Sequence, residues 1–156
     1  MKTSRILFIV ATGFLLTAEA QETVFDTTVD EAFDKSAIII TASQHACYRF
    51  EVYLALTDEQ RRRGLMFVRD LPMFTGMLFA YPQPRILSIW MKNTYIPLDI
   101  VFFGQDGRIV NIHENAEPLT LNSRRSAEAV NFVLEINGGV AEALHIDTDS
   151  TIMLLQ

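Results

Sequence analysis

The chain has 156 residues, 49% of them hydrophobic, with 19 acidic against 13 basic side chains and a net charge of −6. That length suits one domain with a sizeable core. The acidic balance argues against a nucleic-acid binder, which needs a basic face to displace counterions, and gives no general reason to sit on an anionic membrane.

The N-terminus reads as a secretory signal peptide over residues 1–20. Lys2 and Arg5 form a positive region, Ile6 to Leu16 is an apolar run, and Ala18-Glu19-Ala20 is an A-x-A cleavage site. The run has eleven residues, against the roughly 20 a spanning helix needs. The expectation is an exported protein, periplasmic or secreted, cleaved after Ala20 and left with no transmembrane segment. Cleavage would leave a net charge of −7. Cys47 is the only cysteine, so the domain has no internal disulfide and must hold by packing. A lone thiol is either reactive or a small buried hydrophobe; burial is the expectation, because free cysteine is among the most buried residue types.

Residues 21–36 are acidic and weakly periodic, and read as a flexible leader. The globular domain then occupies 37–156. Ala37 to Thr41 predicts a strand. Tyr48 to Leu56 alternates and predicts a second strand with one wet face, joined to the first by a hairpin through Ser43, Gln44 and His45. Thr57-Asp58-Glu59-Gln60 has the capping-box pattern of a helix start, and Gly64 is a suitable stop. On that helix Arg61, Arg62 and Arg63 point about 100° apart and are expected to splay rather than form a patch.

Met77 to Tyr81 predicts a short strand ended by Pro82 and Pro84, which cannot donate to a ladder. Leu87 to Met91 predicts another. Asp106-Gly107 between two apolar runs is the strongest hairpin signal in the chain. Val130 to Asn137 alternates, Gly138-Gly139 turns into a short helix over Val140 to Leu144, and Thr151 to Leu155 predicts a last strand. With no βαβ spacing visible, the fold class is mainly β (α+β): an antiparallel, partly closed sheet or barrel of short strands with two short rim helices.

Chemistry concentrates in Trp90-Met91-Lys92-Asn93-Thr94, followed by Pro97-Leu98-Asp99. In one reading this is a rim site, where Trp90 is a flat wall, Lys92 a cation, and Asn93 and Thr94 orient a small anionic or sugar-like ligand. In the other it is a structural turn, with Asn93 and Thr94 bonded to their own backbone and Lys92 paired with Asp99. Asp99 and Glu135 lie on apolar strands; meeting on one face they could act as acid and base, and otherwise they pair with Arg69 or Arg63. No nucleophile stands beside them in sequence. His45, His113 and His145 lack metal-ligand spacing, so no metal or other cofactor is expected. Met66, Met77 and Met91 could hold Cu(I) through thioethers, but core filling suits their wide spacing better.

Five strings then fall in order: Arg63-Gly64-Leu65-Met66 with Arg69, Gly76-Met77-Leu78-Phe79, Trp90-Met91-Lys92-Asn93-Thr94, Pro97-Leu98-Asp99 and Val133-Leu134-Glu135. Over residues 37–155 the chain resembles the domain of unknown function 192 family. The resemblance implies a compact β-rich domain, frequently exported in bacteria, and no established reaction, ligand or partner. One departure stands near the C-terminus. The family pattern resembles Gly-Ile-x-x-Gly-Asp; here His145 to Asp149 match it with both glycines replaced, so that turn is expected to differ in backbone shape.

The sequence therefore favours a small exported domain, monomeric and non-enzymatic, that binds a small molecule or an envelope partner through Trp90, Lys92, Asn93, Thr94, Asp99 and Arg69. The alternative is an envelope hydrolase acting on a polar small molecule or saccharide with Asp99 and Glu135. A copper-handling protein stands third.

Overall fold

The computed structural model describes residues 27–155; residues 1–20, where a signal peptide was expected, and residues 21–26 lie outside the described residues. In chain order the elements are α1 (Thr27–Ala32), β1 (Lys35–Thr41), β2 (Cys47–Ala55), α2 (Asp58–Arg63), β3 (Thr75–Arg85), β4 (Ser88–Ile89), β5 (Leu98–Phe103), β6 (Ile109–Ala116), β7 (Arg124–Arg125), β8 (Val130–Asn137), α3 (Val140–Ala143) and β9 (Thr151–Leu155).

Seven strands form one curled sheet in the order β6-β5-β8-β3-β2-β1-β9, a half-barrel with few short helices. Its two edges come together where Arg108 bridges Thr151 and the Ile152 amide donates to the Gly107 carbonyl at 2.9 Å. Gly107 is required there: its φ is +79°, and a Cβ would collide with the Ile152 carbonyl. The curl encloses one apolar cluster, built from Ile38, Phe50, Val52, Leu78, Val101, Phe103, Leu134, Ile136 and Ile152, and capped by Val140, Ala141 and Leu144. The opposite face carries a second cluster around Tyr53, Met77, Phe79, Ile100, Phe102 and Val133. Loop residues Leu65, Val68, Leu71, Leu87 and Met91, with Val29 of α1 and Phe33 just after it, cover it.

Local signals hold up well. Thr57 Oγ1 accepts from the Gln60 amide and the Gln60 side chain accepts from the Thr57 amide, completing the capping box of α2. The β1–β2 and β5–β6 hairpins form as expected. Non-local pairings differ from the sequence reading. β2 and β3 are parallel, so β2-α2-β3 is a crossover that the strand spacing does not reveal. β3 runs through Pro82 and Pro84 to Arg85, because an irregularity after Ala80 frees both prolines from the ladder. The strand expected over Leu87 to Met91 is reduced to Ser88–Ile89, paired with β7 in a two-stranded sheet of its own.

Both faces of the sheet are covered, which changes the wet face expected on β2 and buries both sides of the alternating β8: Tyr53, Ala55, Val133 and Glu135 are all buried. The acidic stretch holds the helix α1, with Val29 and Phe33 in the core and Asp30 bonded to both Tyr53 Oη at 2.7 Å and Lys35 Nζ at 2.6 Å. Cys47 is exposed rather than buried, because it opens β2 at the hairpin end, beside Thr41.

Candidate functional site

The outer face of the sheet carries an open cleft of about 440 Å³. Phe79 and Tyr81 of β3 and Glu135 of β8 contribute from the sheet. Asp58, Arg61, Arg62 and Arg63 of α2, with Gly64, Leu65 and Met66, form one wall; Ser88, Ile89, Trp90, Lys92 and Thr94 form the other. Arg85 also lines it. The crossover β2-α2-β3 thus brings the triple arginine to a site that helix geometry alone does not predict.

The cationic groups have distinct partners. Arg61 is committed: its Nη1 donates to the carbonyls of Leu56 and Ala80 at 2.5 and 2.7 Å, and its Nη2 pairs with Asp58 at 2.6 Å. Arg61 and Arg85 both lie over the Tyr81 ring, at 4.8 and 4.5 Å from its centroid. Burial is the main cause that raises the Tyr81 phenol above its ordinary pKa. Arg63 rests on Phe33. Arg62, Arg85 and Lys92 are exposed and pair with no carboxylate among the described residues. Lys92 Nζ lies 5.7 Å from the Trp90 ring, which is 55% exposed.

Glu135 is the contrast. It is 5% exposed, sits opposite Met77 on one side and Ile100 on the other, and makes no hydrogen bond or ion pair among the described residues. Burial alone pushes its carboxyl up to about 8, so the acid form prevails at neutral pH.

The turn that presents Trp90 and Lys92 is rigid. The Thr94 amide donates to the Met91 carbonyl at 3.2 Å, closing a β-turn whose third residue, Asn93, has φ +55°. Asparagine tolerates that left-handed position. The Asn93 carbonyl accepts from the Phe67 amide at 2.8 Å, and its side-chain nitrogen faces the Met66 sulfur at 3.9 Å. Met91 is buried beneath the turn and its amide donates to Thr120.

Of the residues expected at a site, the structure brings together Trp90, Lys92, Thr94 and Glu135, with Met66 on the wall. Asn93 shapes the turn but does not line the cleft. Arg69 lies over Tyr95, 4.7 Å from its centroid, outside the cleft. Met77 and Met91 are fully buried, which leaves one of the three thioethers at the cleft. Asp99 is elsewhere altogether. It stands opposite Ile136, whereas Glu135 stands opposite Ile100. Directly opposed residues share a face and neighbours in a strand alternate, so the two carboxylates project to opposite sides of the sheet. Asp99 accepts from the amides of Asn115, Gly139 and Ala141 at 2.8, 3.0 and 2.8 Å, anchoring α3. It pairs with neither Lys92 nor Glu135. Arg85, Tyr81, Ser88 and Ile89 were not expected at the site; the pairing of β3 with β8 brings Tyr81 and Arg85 there, and Ser88 and Ile89 come from β4, which pairs with β7.

A curled β half-barrel with a polar cleft on its outer face defines the class: a compact β domain with a built pocket on a rigid frame. The chain belongs to the DUF192 family, an uncharacterized ACR, whose model matches residues 38–154. No curated protein matches it. Among solved structures it is similar to a candidate transcription regulator from Sinorhizobium meliloti 1021, with 35% identity over 78% of this chain and 95% of that one and a TM-score of 0.76. It is also similar to a protein of unknown function from Novosphingobium aromaticivorans DSM 12444, with 37% identity over 75% and 83% and a TM-score of 0.72.

Proposed function

We propose that this protein is an exported, non-catalytic binding domain whose outer cleft takes a small polar molecule. The observation that carries the reading is the meeting of an exposed Trp90, the exposed cations Arg62 and Lys92, and the Glu135 carboxyl in one open recess. Convergent polar groups in a pocket are the usual mark of a ligand site. The hydrolase reading loses support because Asp99 and Glu135 are on opposite faces. DNA binding, which the description of the Sinorhizobium protein would suggest, sits poorly with a net charge of −6.

Two measurements test the proposal. Trp90 is the only tryptophan, so its emission reports directly on the cleft. A screen of sugars, organic acids and amines should yield a compound that shifts this emission and raises the melting temperature, with both effects lost in Lys92→Ala. No such compound, or one whose binding ignores Lys92, would count against it. For export, mass analysis of protein expressed with its leader in a bacterial host should find a mature chain beginning at Gln21 outside the cytoplasm. A full-length cytoplasmic product would refute that part.

A further inference from the structure

The cleft is asymmetric in a way that specifies its ligand. Cations stand around the opening and a single carboxyl group sits deep against the sheet. The charged and titratable groups that line the cleft with Glu135 are Asp58, Arg61, Arg62 and Arg63 from α2, Tyr81 and Arg85 from β3, and Lys92 from the loop after β4. Arg61 cannot serve as its counter-ion, since both terminal nitrogens are taken by Asp58, Leu56 and Ala80. From β8, β3 and β5 its immediate neighbours are Val133, Met77 and Ile100, all buried and apolar. An ionised carboxylate there would lose hydration against those three apolar side chains, with no hydrogen bond or ion pair to replace it, which is unfavourable. The acid form instead presents one O–H donor to the cleft.

A ligand must satisfy that donor and the cations together. An amine would be repelled by Arg62, Arg85 and Lys92. A neutral sugar would leave those cations unused. An acceptor-rich anion meets both demands, because it accepts from the carboxyl and is charge-paired with the cations. Trp90 adds a place for an uncharged body. It lies between this cleft and a second recess of about 310 Å³ lined by Ser88, Ile89, Trp90, Leu121 and Ser123, so a molecule can lie across the indole.

We infer that the cleft binds an organic oxyanion, a carboxylate or a phosphate monoester, with the Glu135 carboxyl donating a hydrogen bond to it and Arg62, Arg85 and Lys92 balancing its charge. This rests on the reading of the cleft as a ligand site and names the ligand's chemistry. Binding is then linked to a proton: once Glu135 ionises, it opposes the anion, so affinity falls as pH rises.

The experiment titrates the purified protein with benzoate, phenyl phosphate, phenyl glucoside and benzylamine, following Trp90 emission and calorimetric heat. At pH 7 one of the two anions should bind at least tenfold more tightly than the glucoside or the amine. The comparison of benzoate with phenyl phosphate assigns the oxyanion type. Anion affinity should drop about tenfold per pH unit above the Glu135 transition. Glu135→Gln should weaken the anion several-fold and flatten this dependence, and the surface change Lys92→Ala should weaken it about tenfold without altering the fold. Preference for benzylamine, affinity that rises with pH, or an unchanged pH profile in Glu135→Gln would overturn the inference while leaving the cleft a binding site. Failure of all four probes to bind would remove both readings.

Discussion

The chain of Gly76 passes so close to Glu135 that a Cβ on the glycine would stand 2.6 Å from the Glu135 carbonyl oxygen. β3 and β8 approach across this point, where Gly76 stands opposite Ile136. Gly76→Ala would force backbone apart from backbone. The expected loss is about 1–3 kcal/mol, read as a lower urea midpoint, together with altered Trp90 emission. Unchanged stability would mean that the two strands have room to part.

Asp99 gives a second prediction. Its two oxygens satisfy three backbone amides, two of them at the start of α3. Asp99→Ala would leave buried donors without partners, at a cost of about 3 kcal/mol or more. The loss should appear in chemical denaturation. Lys92→Ala, by contrast, removes an exposed charge and should stay within about 0.5 kcal/mol of the parent. Equal losses from the two would show that Asp99 is not a structural anchor.

Glu135 sets a pH dependence of stability. Its carboxyl stays protonated in the folded chain up to about pH 8, while the unfolded chain releases that proton near 4.5. Folding therefore takes up a proton between those values, and stability falls with rising pH across that window. The contribution is complete below about pH 4.5 and is gone above about pH 8. Glu135→Gln lacks it. The stability of the parent relative to this variant should decline by a few kcal/mol between pH 5 and 9, measured by urea unfolding. A difference that stays constant with pH would mean that the carboxyl is ionised throughout.

The helix end at His145 supplies a fourth. The His145 amide donates to the Glu142 carbonyl and the Ile146 amide to the Ala141 carbonyl, the paired bonds of a Schellman cap. His145 takes φ +55° to allow it. At His145 the turn has a left-handed backbone, which glycine adopts without strain, whereas Asp149, at the other position where the family pattern has glycine, has no positive φ. A non-glycine residue held in the left-handed conformation costs roughly 1–2 kcal/mol, so His145→Gly should raise the melting temperature. A lower melting temperature would show that the imidazole contributes more than the strain removes.

What the sequence disclosed depended on how local each signal was. The Thr57 capping box and the Asp106-Gly107 hairpin are complete within a few residues, and both were readable. The alternation of β8 was readable too, but not that its second face is covered, because that cover comes from residues 65–71 and 87–91. The separation of Asp99 from Glu135 turns on a one-residue register between two strands, which no single strand encodes. Trp90, Lys92 and Thr94 could be found because an indole among polar groups is unusual in so apolar a chain. Arg85 and Tyr81 were hidden behind prolines that looked like the end of a strand.

The parallel join between β2 and β3 also bears on how the molecule assembles. The hairpins β1–β2 and β5–β6 close over short stretches of chain, whereas β2 meets β3 only after the whole crossover has been drawn into place. Long-range pairing of that kind is slow, because the chain gives up its freedom before the contacts return anything. The cleft wall formed by α2 and residues 64–66 is part of that crossover, and its floor also needs β8, whose Ile136 meets Gly76, so the recess is complete only once segments far apart in the sequence have come together.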